Sequence, residues 1–336
     1  MDSQGTTSFI LLALNSSINS SFHHSQSFSF PGLSVMQVQY IFAFFFGVIL
    51  VVGIVGNVLI LLVLIDSLLS STSSSSSHIS IMTGTLMINL TISDMTFLLY
   101  NVPVMLFSFV FEDWVMGSAV CISSQSMSMW TMFCSFYTMV ATSILRYMAV
   151  VHPTWSFSTS KTQRLLVCLL TWLMGFTISI PNWMHQKVIQ IDEADHCMLL
   201  MTEHETFWYF VLFGGVAFLP FVLLLLVCYF RIIQSIWCGR IKVVHSSGNL
   251  QLNKKATVMI LTVLIVFIIM WIPCSVIIFL SASHSLPHTA TAFIASNLSS
   301  VLAYSNCSVS PLICFSLSDQ FQAGLKKLFK RGFSRN

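Results

Sequence analysis

One acid and one arginine, each within or near the end of a long apolar run, are the first candidates for chemistry. Asp94 is the only acid inside such a run, and Arg146 closes another one with Leu145 in front of it. Charge in an apolar surrounding is costly, so each group should face the protein interior and be bound by partners. The chain has no HExxH motif, no paired carboxylates and no Ser/His dyad within an apolar run. Neither an enzyme nor a proton-relaying transporter is indicated, and a seven-helix transporter remains only a remote alternative.

The composition places these residues in a membrane protein. Of 336 residues, 56% are hydrophobic and 7% are charged, with a mean hydropathy of +0.85, whereas about a quarter of a soluble domain is charged. A spanning helix needs roughly 20 mostly apolar residues. Seven runs qualify, at 38–65, 81–110, 119–151, 165–183, 206–236, 256–281 and 290–316. The third is the least apolar and should lie inside the bundle.

Charge placement predicts the orientation and the division of the chain. Thirteen of the 14 Lys and Arg lie near the C-terminal end of the third, fifth or seventh run or in the segment after it, while seven acids fall in the loops of the other side. The positive-inside rule then puts the N-terminus outside and the C-terminus in the cytoplasm. We predict an extracellular tail at 1–37, a seven-span bundle at 38–316 and a cytoplasmic segment at 317–336. Two NSS triplets in the tail are candidate glycan acceptors, at Asn15 and Asn19.

Most of the nine cysteines lie well within the apolar runs, but two are placed on the predicted outer side, at the start of a run and in a loop. Cys121 opens the third run, and Cys197 lies in the acidic loop DEADHCML. A disulfide between them would tie this loop across the outer end of the third helix, and two free thiols are the alternative. Arg146 lies roughly 37 Å further along the same helix. One helix therefore carries an outer anchor and an inner cation.

The ordered set of motifs resembles rhodopsin-like (class A) G-protein-coupled receptors over about 40–330. Within that family the chain is most similar to galanin and other peptide receptors and to the galanin-receptor-like orphan receptor, on LMINLTISDMTFLLYNVP, RYMAVVHP and FQAGLKKLFK. The resemblance implies a bundle of seven transmembrane helices with a short amphipathic cytoplasmic helix, which is all-α. Its motifs are GNV at Gly56–Val58, NLTISD ending at Asp94, Trp114 before Cys121, LRY at Arg146, Trp172, Pro220, WIP at Trp271–Pro273 and SPLIC at Ser310–Cys314.

The resemblance assigns roles to residues inside the bundle. Asp94 would bind a sodium ion together with Ser135 and Asn306, and the alternative is a carboxyl that only hydrogen-bonds between helices. Trp271 and Pro273 would form the hinge of the sixth helix, since proline removes a backbone hydrogen bond and kinks a helix. Pro311 is the corresponding proline of the seventh helix. We expect no other cofactor.

Arg146 and Tyr147 are the residues that the resemblance assigns to G-protein coupling. Members of the family usually have Asp or Glu before this arginine, and here Leu145 cannot pair with it. Two consequences compete: the loss of this restraint raises signalling without ligand, or the receptor switches poorly. The simplest alternative is that Arg146 reaches the phosphate headgroups. After the seventh run, Phe321, Leu325, Leu328 and Phe329 form an apolar face opposite four cations, which indicates a helix along the inner leaflet.

The resemblance also predicts where a ligand binds. Ser128 stands where an amine receptor needs Asp, and Tyr304 stands where a light receptor needs lysine, so neither a monoamine nor retinal is expected. The similarity to galanin and other peptide receptors implies a peptide ligand. The acidic outer loop would attract a basic one. We therefore predict a multi-pass plasma-membrane receptor for an extracellular peptide that activates a heterotrimeric G protein, with no nucleic-acid partner; the alternative is an orphan receptor with constitutive or no signalling. The predicted ligand contacts are Ser128, Met129, Met132, Trp271, Cys274, Ser275, Ile278, Ser300 and Tyr304.

Overall fold

The computed structural model describes residues 8–9, 34–71, 78–111, 114–152, 160–191, 194–237, 247–282, 286–287 and 289–333. Asn15 and Asn19 lie outside these residues. Within them, seven helices are long and apolar enough to cross a membrane, and one more follows the last of them. The prediction of a seven-span helical bundle with a short C-terminal helix is confirmed.

We number the helices in chain order and treat three consecutive helical segments as one span, α5. The segments of α5 are Glu203–Phe210, the π-helix Val211–Phe218 and Leu219–Trp237. The other helices are α1 Val35–Ser71, α2 His78–Val110, α3 Gly117–Val151, α4 Lys161–His185, α6 Ser247–Ala282, α7 Ala290–Leu317 and α8 Asp319–Phe333.

Local sequence explains where several helices begin and bend. Ser160 starts α4 with a capping box, because its hydroxyl accepts from the Gln163 N–H and the Gln163 side chain accepts from the Ser160 N–H. Thr202 and Glu205 start α5 in the same way. Pro220 cannot donate a backbone hydrogen bond, and the helix before it widens into the π-segment.

The third span is the most enclosed, as its weak hydropathy predicts. In its most apolar window 67% of the residues are buried, against 11% in the window of α5. It lies close to α4 because Gly175 has no side chain: a Cβ there would come within 2.8 Å of the Trp130 carbonyl oxygen. Most polar residues of α3 are therefore buried inside the bundle, and several of their hydroxyls donate to carbonyls of α3 itself, such as Thr138 to Cys134 and Thr142 to Thr138.

A three-stranded sheet covers one end of the bundle, which the sequence analysis did not anticipate. Its strands are β1 Ser8–Phe9, β2 Gln186–Ile191 and β3 Ala194–Met201, antiparallel in the order β1-β3-β2. We call this the sheet end. The opposite end, where α1, α3, α5 and α7 finish and α8 begins, is the α8 end.

Helix α8 is amphipathic and packs against α1 and α7. Phe321 is buried in the bundle core and Leu328 packs against it, whereas Phe329 is exposed. Gly324 permits the close approach to α1, since a Cβ there would meet Val63 Cγ1 at 2.5 Å.

Candidate functional site

The sheet end is fixed to α3 by a disulfide, as predicted. Cys121 at the start of α3 is bonded to Cys197 on β3, and both side chains are buried. Trp114 adds two hydrogen bonds, from its backbone N–H to the Asp195 carbonyl (2.8 Å) and from its indole to the Gly117 carbonyl (2.8 Å). Gly117 has a φ of +76°, which a glycine adopts without strain. The hairpin formed by β2 and β3 and the start of α3 are therefore held together as one unit.

The hairpin also reaches into the bundle through apolar side chains. Leu199 and Met201 of β3 are buried against Met129 of α3 and Tyr209 of α5. Tyr209 donates to Asn182 Oδ1 of α4 at 3.4 Å. The sheet therefore lies over the centre of the bundle at this end.

Below the hairpin, an apolar cavity of about 290 Å³ lies between α3, α5 and α6. Met129, Met132, Trp271, Ser275 and Ile278, five of the predicted ligand contacts, line it. Aromatic residues that were not predicted complete it; Phe213, for example, packs edge-on against Phe133 of α3 with ring centroids 4.7 Å apart.

The other four predicted ligand contacts are absent from the lining of this cavity. Tyr304 packs edge-to-face on Phe46 of α1 and Phe97 of α2, with centroids 5.3 and 4.8 Å away. Cys274 belongs to the same buried cluster. Ser300 donates to the Ser296 carbonyl at 3.0 Å, and Ser128 is buried. These contacts are with helix neighbours, and the role of the four residues in ligand binding stays a prediction.

Asp94 is buried in the middle of the bundle, at a point where α2 meets α3. The Ser135 hydroxyl donates to its Oδ1 at 3.2 Å and lies 3.1 Å from the Ser93 hydroxyl. A cavity of about 40 Å³ beside Asp94 is bordered by Asn57 and Ser310. A carboxylate with hydroxyl neighbours offers the oxygen donors that hard cations prefer. Asp94 and Ser135 thus fit the predicted sodium site.

Asn306, the third predicted sodium ligand, makes its hydrogen bonds with residues other than Asp94. The Asn306 amide donates to Met270 Sδ at 3.9 Å, and the Asn306 backbone carbonyl accepts from Ser310 at 3.1 Å. The sodium site stays a prediction.

The predicted hinge lies where two buried clusters meet. Trp271 packs against the core at the α8 end and against the cluster around Tyr304, and its ring centroid is 6.1 Å from that of Phe267. Pro273 lies inside α6 and Pro311 inside α7. A bend of α6 at Pro273 would therefore change the packing of Trp271 in both clusters.

At the α8 end, Arg146 is 8% exposed and borders a cavity of about 460 Å³ between α1, α2, α3, α6 and α8. Its Nε has no hydrogen-bond partner among the described residues, and neither ion pair found among them includes it. Next to it, Tyr229 of α5 is buried, with its hydroxyl 2.9 Å from that of Ser143. Tyr147 lies with its hydroxyl 3.4 Å from His152 Nε2.

Leu145 has a packing role of its own. It is buried against Met82 and Leu86 of α2, with Val167 and Cys168 of α4 beside it. The sequence shows that the usual acid is missing here, but this apolar contact between three helices is visible only in the structure.

Two ion pairs at the α8 end were not predicted. Lys255 of α6 contacts Asp319 at the start of α8 (2.5 Å), and Lys327 of α8 contacts Asp66 of α1 (2.7 Å). The partners are 64 and 261 residues apart in the chain, so no local pattern announces them. Helix α8 therefore links the mobile sixth helix of the hinge hypothesis to α1.

Comparison with known proteins gives the family. The galanin receptor 2a of Danio rerio is 27% identical over 294 residues, which cover 87% of this chain and 79% of that receptor. The allatostatin-A receptor of Bombyx mori is 29% identical over 299 residues, which cover 84% of this chain and 78% of that receptor. The C-C chemokine receptor type 1 of Homo sapiens is 25% identical over 298 residues, which cover 85% of this chain and 78% of that receptor.

Residues 56–313, more than half of the chain, match the model of the family described as 7 transmembrane receptor (rhodopsin family). The proteins compared are receptors and not enzymes, and the seven apolar helices agree with a multi-pass membrane protein. The chain belongs to the rhodopsin family of seven-transmembrane receptors.

Proposed function

We propose that the protein binds an extracellular peptide at the sheet end and activates a heterotrimeric G protein at the α8 end. The observation that carries this proposal is the construction of α3, which is covalently anchored at Cys121 and presents Arg146 to a cavity at its other end. A single buried helix can therefore connect a ligand site to a docking site on the opposite membrane face. The relatives named for galanin and allatostatin A support a peptide ligand.

The charge distribution supports this orientation and ligand class. The acidic residues of the predicted outer loop between α4 and α5 would attract a basic peptide. Of those in the described part, Asp195 is exposed, whereas the carboxylate of Glu205 already accepts from the Thr202 N–H at 2.8 Å. Asp195 is thus the better candidate for contact with a basic residue of the ligand.

A library of basic peptides, read out by G-protein activation in cells that express the protein, tests this proposal. The expected result is a peptide that activates the wild type and still binds Arg146→Ala without activating through it. Absence of activation by any peptide, together with a basal signal equal to that of cells without the protein, would contradict the proposal.

We also propose a second mode of action, signalling without ligand, because of one observation. Among the described residues, Arg146 lacks the carboxylate partner that restrains this position in most of the family. Losing such a restraint shifts a two-state equilibrium by about 1–3 kcal/mol. The inactive form would then be less strongly favoured, and basal signalling would be raised.

We further propose that Asp94 and Ser135 hold a sodium ion that stabilises the inactive packing. The hydroxyl donor at 3.2 Å from Asp94 Oδ1 supports this. Purified protein should melt at a higher temperature in NaCl than in choline chloride of equal ionic strength, and Asp94→Asn should abolish the difference. Equal melting temperatures of the wild type in both salts would contradict the sodium site.

A further inference from the structure

The apolar cavity between α3, α5 and α6 opens toward the membrane. Three of its lining residues, Ile272, Val276 and Phe279 of α6, also belong to the exposed surface, with 52%, 49% and 55% of their area exposed. In a spanning helix that surface faces lipid. Phe210 of α5 and Phe279 of α6 meet edge-on at this rim, with centroids 5.6 Å apart. The cavity thus extends from the bundle centre to the lipid-facing cleft between α5 and α6.

The route from the sheet end is covered. Leu199 and Met201 of the hairpin pack on Met129 and Tyr209, which line the cavity. The disulfide at Cys197 holds this strand in place. A molecule that enters from the bilayer meets mainly apolar side chains, whereas one from outside must displace the hairpin.

The chemistry of the lining selects the class of occupant. None of the described residues that line the cavity is Lys, Arg, His, Asp or Glu, so an ionised group would be buried there without a partner. Two polar groups are already engaged: Ser275 donates to the Trp271 carbonyl and Tyr209 to Asn182. The Trp271 indole Nε1 is buried and has no hydrogen-bond partner within the described part of the chain. It can donate one hydrogen bond to an oxygen of the occupant.

We propose that this cavity is a binding site for a neutral lipid, with an alkyl chain and one oxygen acceptor, that enters from the bilayer between α5 and α6. Its volume of about 290 Å³ is close to the lower limit of about 300 Å³ for ligand pockets. An occupant beside Trp271 would bias the bend of α6 at Pro273. Five residues of the lining are also predicted ligand contacts, so a bound lipid would compete with a peptide that reaches below the hairpin. Lipid binding is measured without peptide or G protein, so its failure is distinguishable from failure of the proposed receptor function.

Two neighbouring glycines of the α5 π-helix provide a matched pair of variants. Gly214 lines the cavity and Gly215 does not, and a Cβ at either position meets nothing within 4 Å. Gly214→Leu therefore fills the cavity, while Gly215→Leu adds the same side chain next to it. A lipid must displace the leucine side chain from the cavity, so binding to Gly214→Leu should fall about tenfold or more.

The test is photolabelling of the full chain in lipid nanodiscs with a fatty alcohol that carries an alkyl diazirine and an alkyne, followed by mass spectrometry. We expect saturable labelling of cavity residues such as Met132 and Phe213, lost in Gly214→Leu and retained in Gly215→Leu. The matching fatty acid, which is ionised, should label these residues more weakly. Trp271→Phe keeps an aromatic ring without the N–H and should lower labelling about fivefold, the scale of one neutral hydrogen bond.

Three outcomes would overturn the proposal: no labelling of cavity residues in the wild type, equal labelling of both glycine variants, or equal labelling by acid and alcohol. Thermal melting of each purified variant separates loss of binding from loss of fold. If Gly214→Leu does not fold, the proposal is still tested by the labelling of Trp271→Phe and by the comparison of fatty acid with fatty alcohol. Labelling of Trp271→Phe equal to that of the wild type would then contradict the hydrogen bond to the occupant.

Discussion

The two ends of α3 are held in different ways. At the sheet end, a disulfide and the hydrogen bond from Trp114 to the Asp195 carbonyl join α3 to the hairpin. At the α8 end, Arg146 has no ion-pair partner among the described residues, and the nearby ion pairs are exposed. A disulfide typically contributes about 2–4 kcal/mol, an exposed ion pair about 0.2–1 kcal/mol. The sheet end is therefore a fixed platform, and conformational change is cheapest at the α8 end.

The largest effect should come from breaking the fixed end. Cys121→Ser releases β3 from α3, and we expect a loss of about 2–4 kcal/mol of stability with strongly reduced surface abundance. Cys168→Ser, at a free and half-buried thiol, is the control and should behave like the wild type. Flow cytometry of surface protein and thermal melting measure both. A Cys121→Ser protein that melts like the wild type would show that the hairpin is held without the disulfide.

The next effect should come from giving the α8 end the restraint it lacks. Leu145→Asp places a carboxylate beside Arg146 and should lower ligand-independent signalling at least about fivefold, the low end of typical coupling energies. Because Leu145 is packed between α2 and α4, Leu145→Ala is the necessary control: it loses the packing without adding charge. Second-messenger levels are compared at equal surface abundance. Equal basal signals from the two variants would remove the idea of a missing restraint.

A smaller effect is expected from the link between α6 and α8. Lys255→Ala removes the contact with Asp319 and should raise basal signalling about twofold, as suits an exposed pair. Exchanging the charges, Lys255→Asp with Asp319→Lys, should restore the wild-type level. Lys330→Ala, at an exposed position of α8, is the control. If the exchanged pair signals like Lys255→Ala, the ion pair does not hold α6.

The smallest effect on signalling should come from removing the predicted glycan acceptors, which tests on which side of the membrane the N-terminal tail lies. If the sheet end faces outward, Asn15 and Asn19 acquire glycans, and Asn15→Gln with Asn19→Gln should lower the apparent mass while basal signalling stays unchanged. Gel mobility before and after glycosidase treatment measures this. A mass that neither the enzyme nor the substitutions change would remove the predicted glycans, and antibody access to an N-terminal tag in intact cells then decides the orientation.

Hydropathy predicted the spans well because a bilayer imposes helix length directly on composition. The disulfide was predictable since Cys121, at the start of the third apolar run, and Cys197, in a loop, lie on the same predicted side. The hairpin was missed because QKVIQI and ADHCMLLM alternate too weakly to indicate strands, so the sequence indicates only an acidic loop between two spans. The sequence therefore predicted the positions of helices better than the structure between them.

The site was predicted unevenly for a related reason. Met129 and Met132 were predicted from the family resemblance, and because they lie one helical turn apart, one correct placement brought both to the cavity. The contacts of Lys255 with Asp319 and of Leu145 with Met82 depend on how helices pack, which no local pattern encodes. The same holds for Tyr304, whose ring packs on Phe46 and Phe97.

The central claim, that Arg146 passes the signal to a G protein, is tested most directly by nucleotide exchange on purified heterotrimers from each G-protein class, with the protein in lipid nanodiscs. We predict that the wild type accelerates GDP release from at least one class. Arg146→Ala should fall to the rate without receptor, while Lys161→Ala, at an exposed cation of α4, keeps the wild-type rate. A folded Arg146→Ala protein that exchanges nucleotide as fast as the wild type would contradict the account.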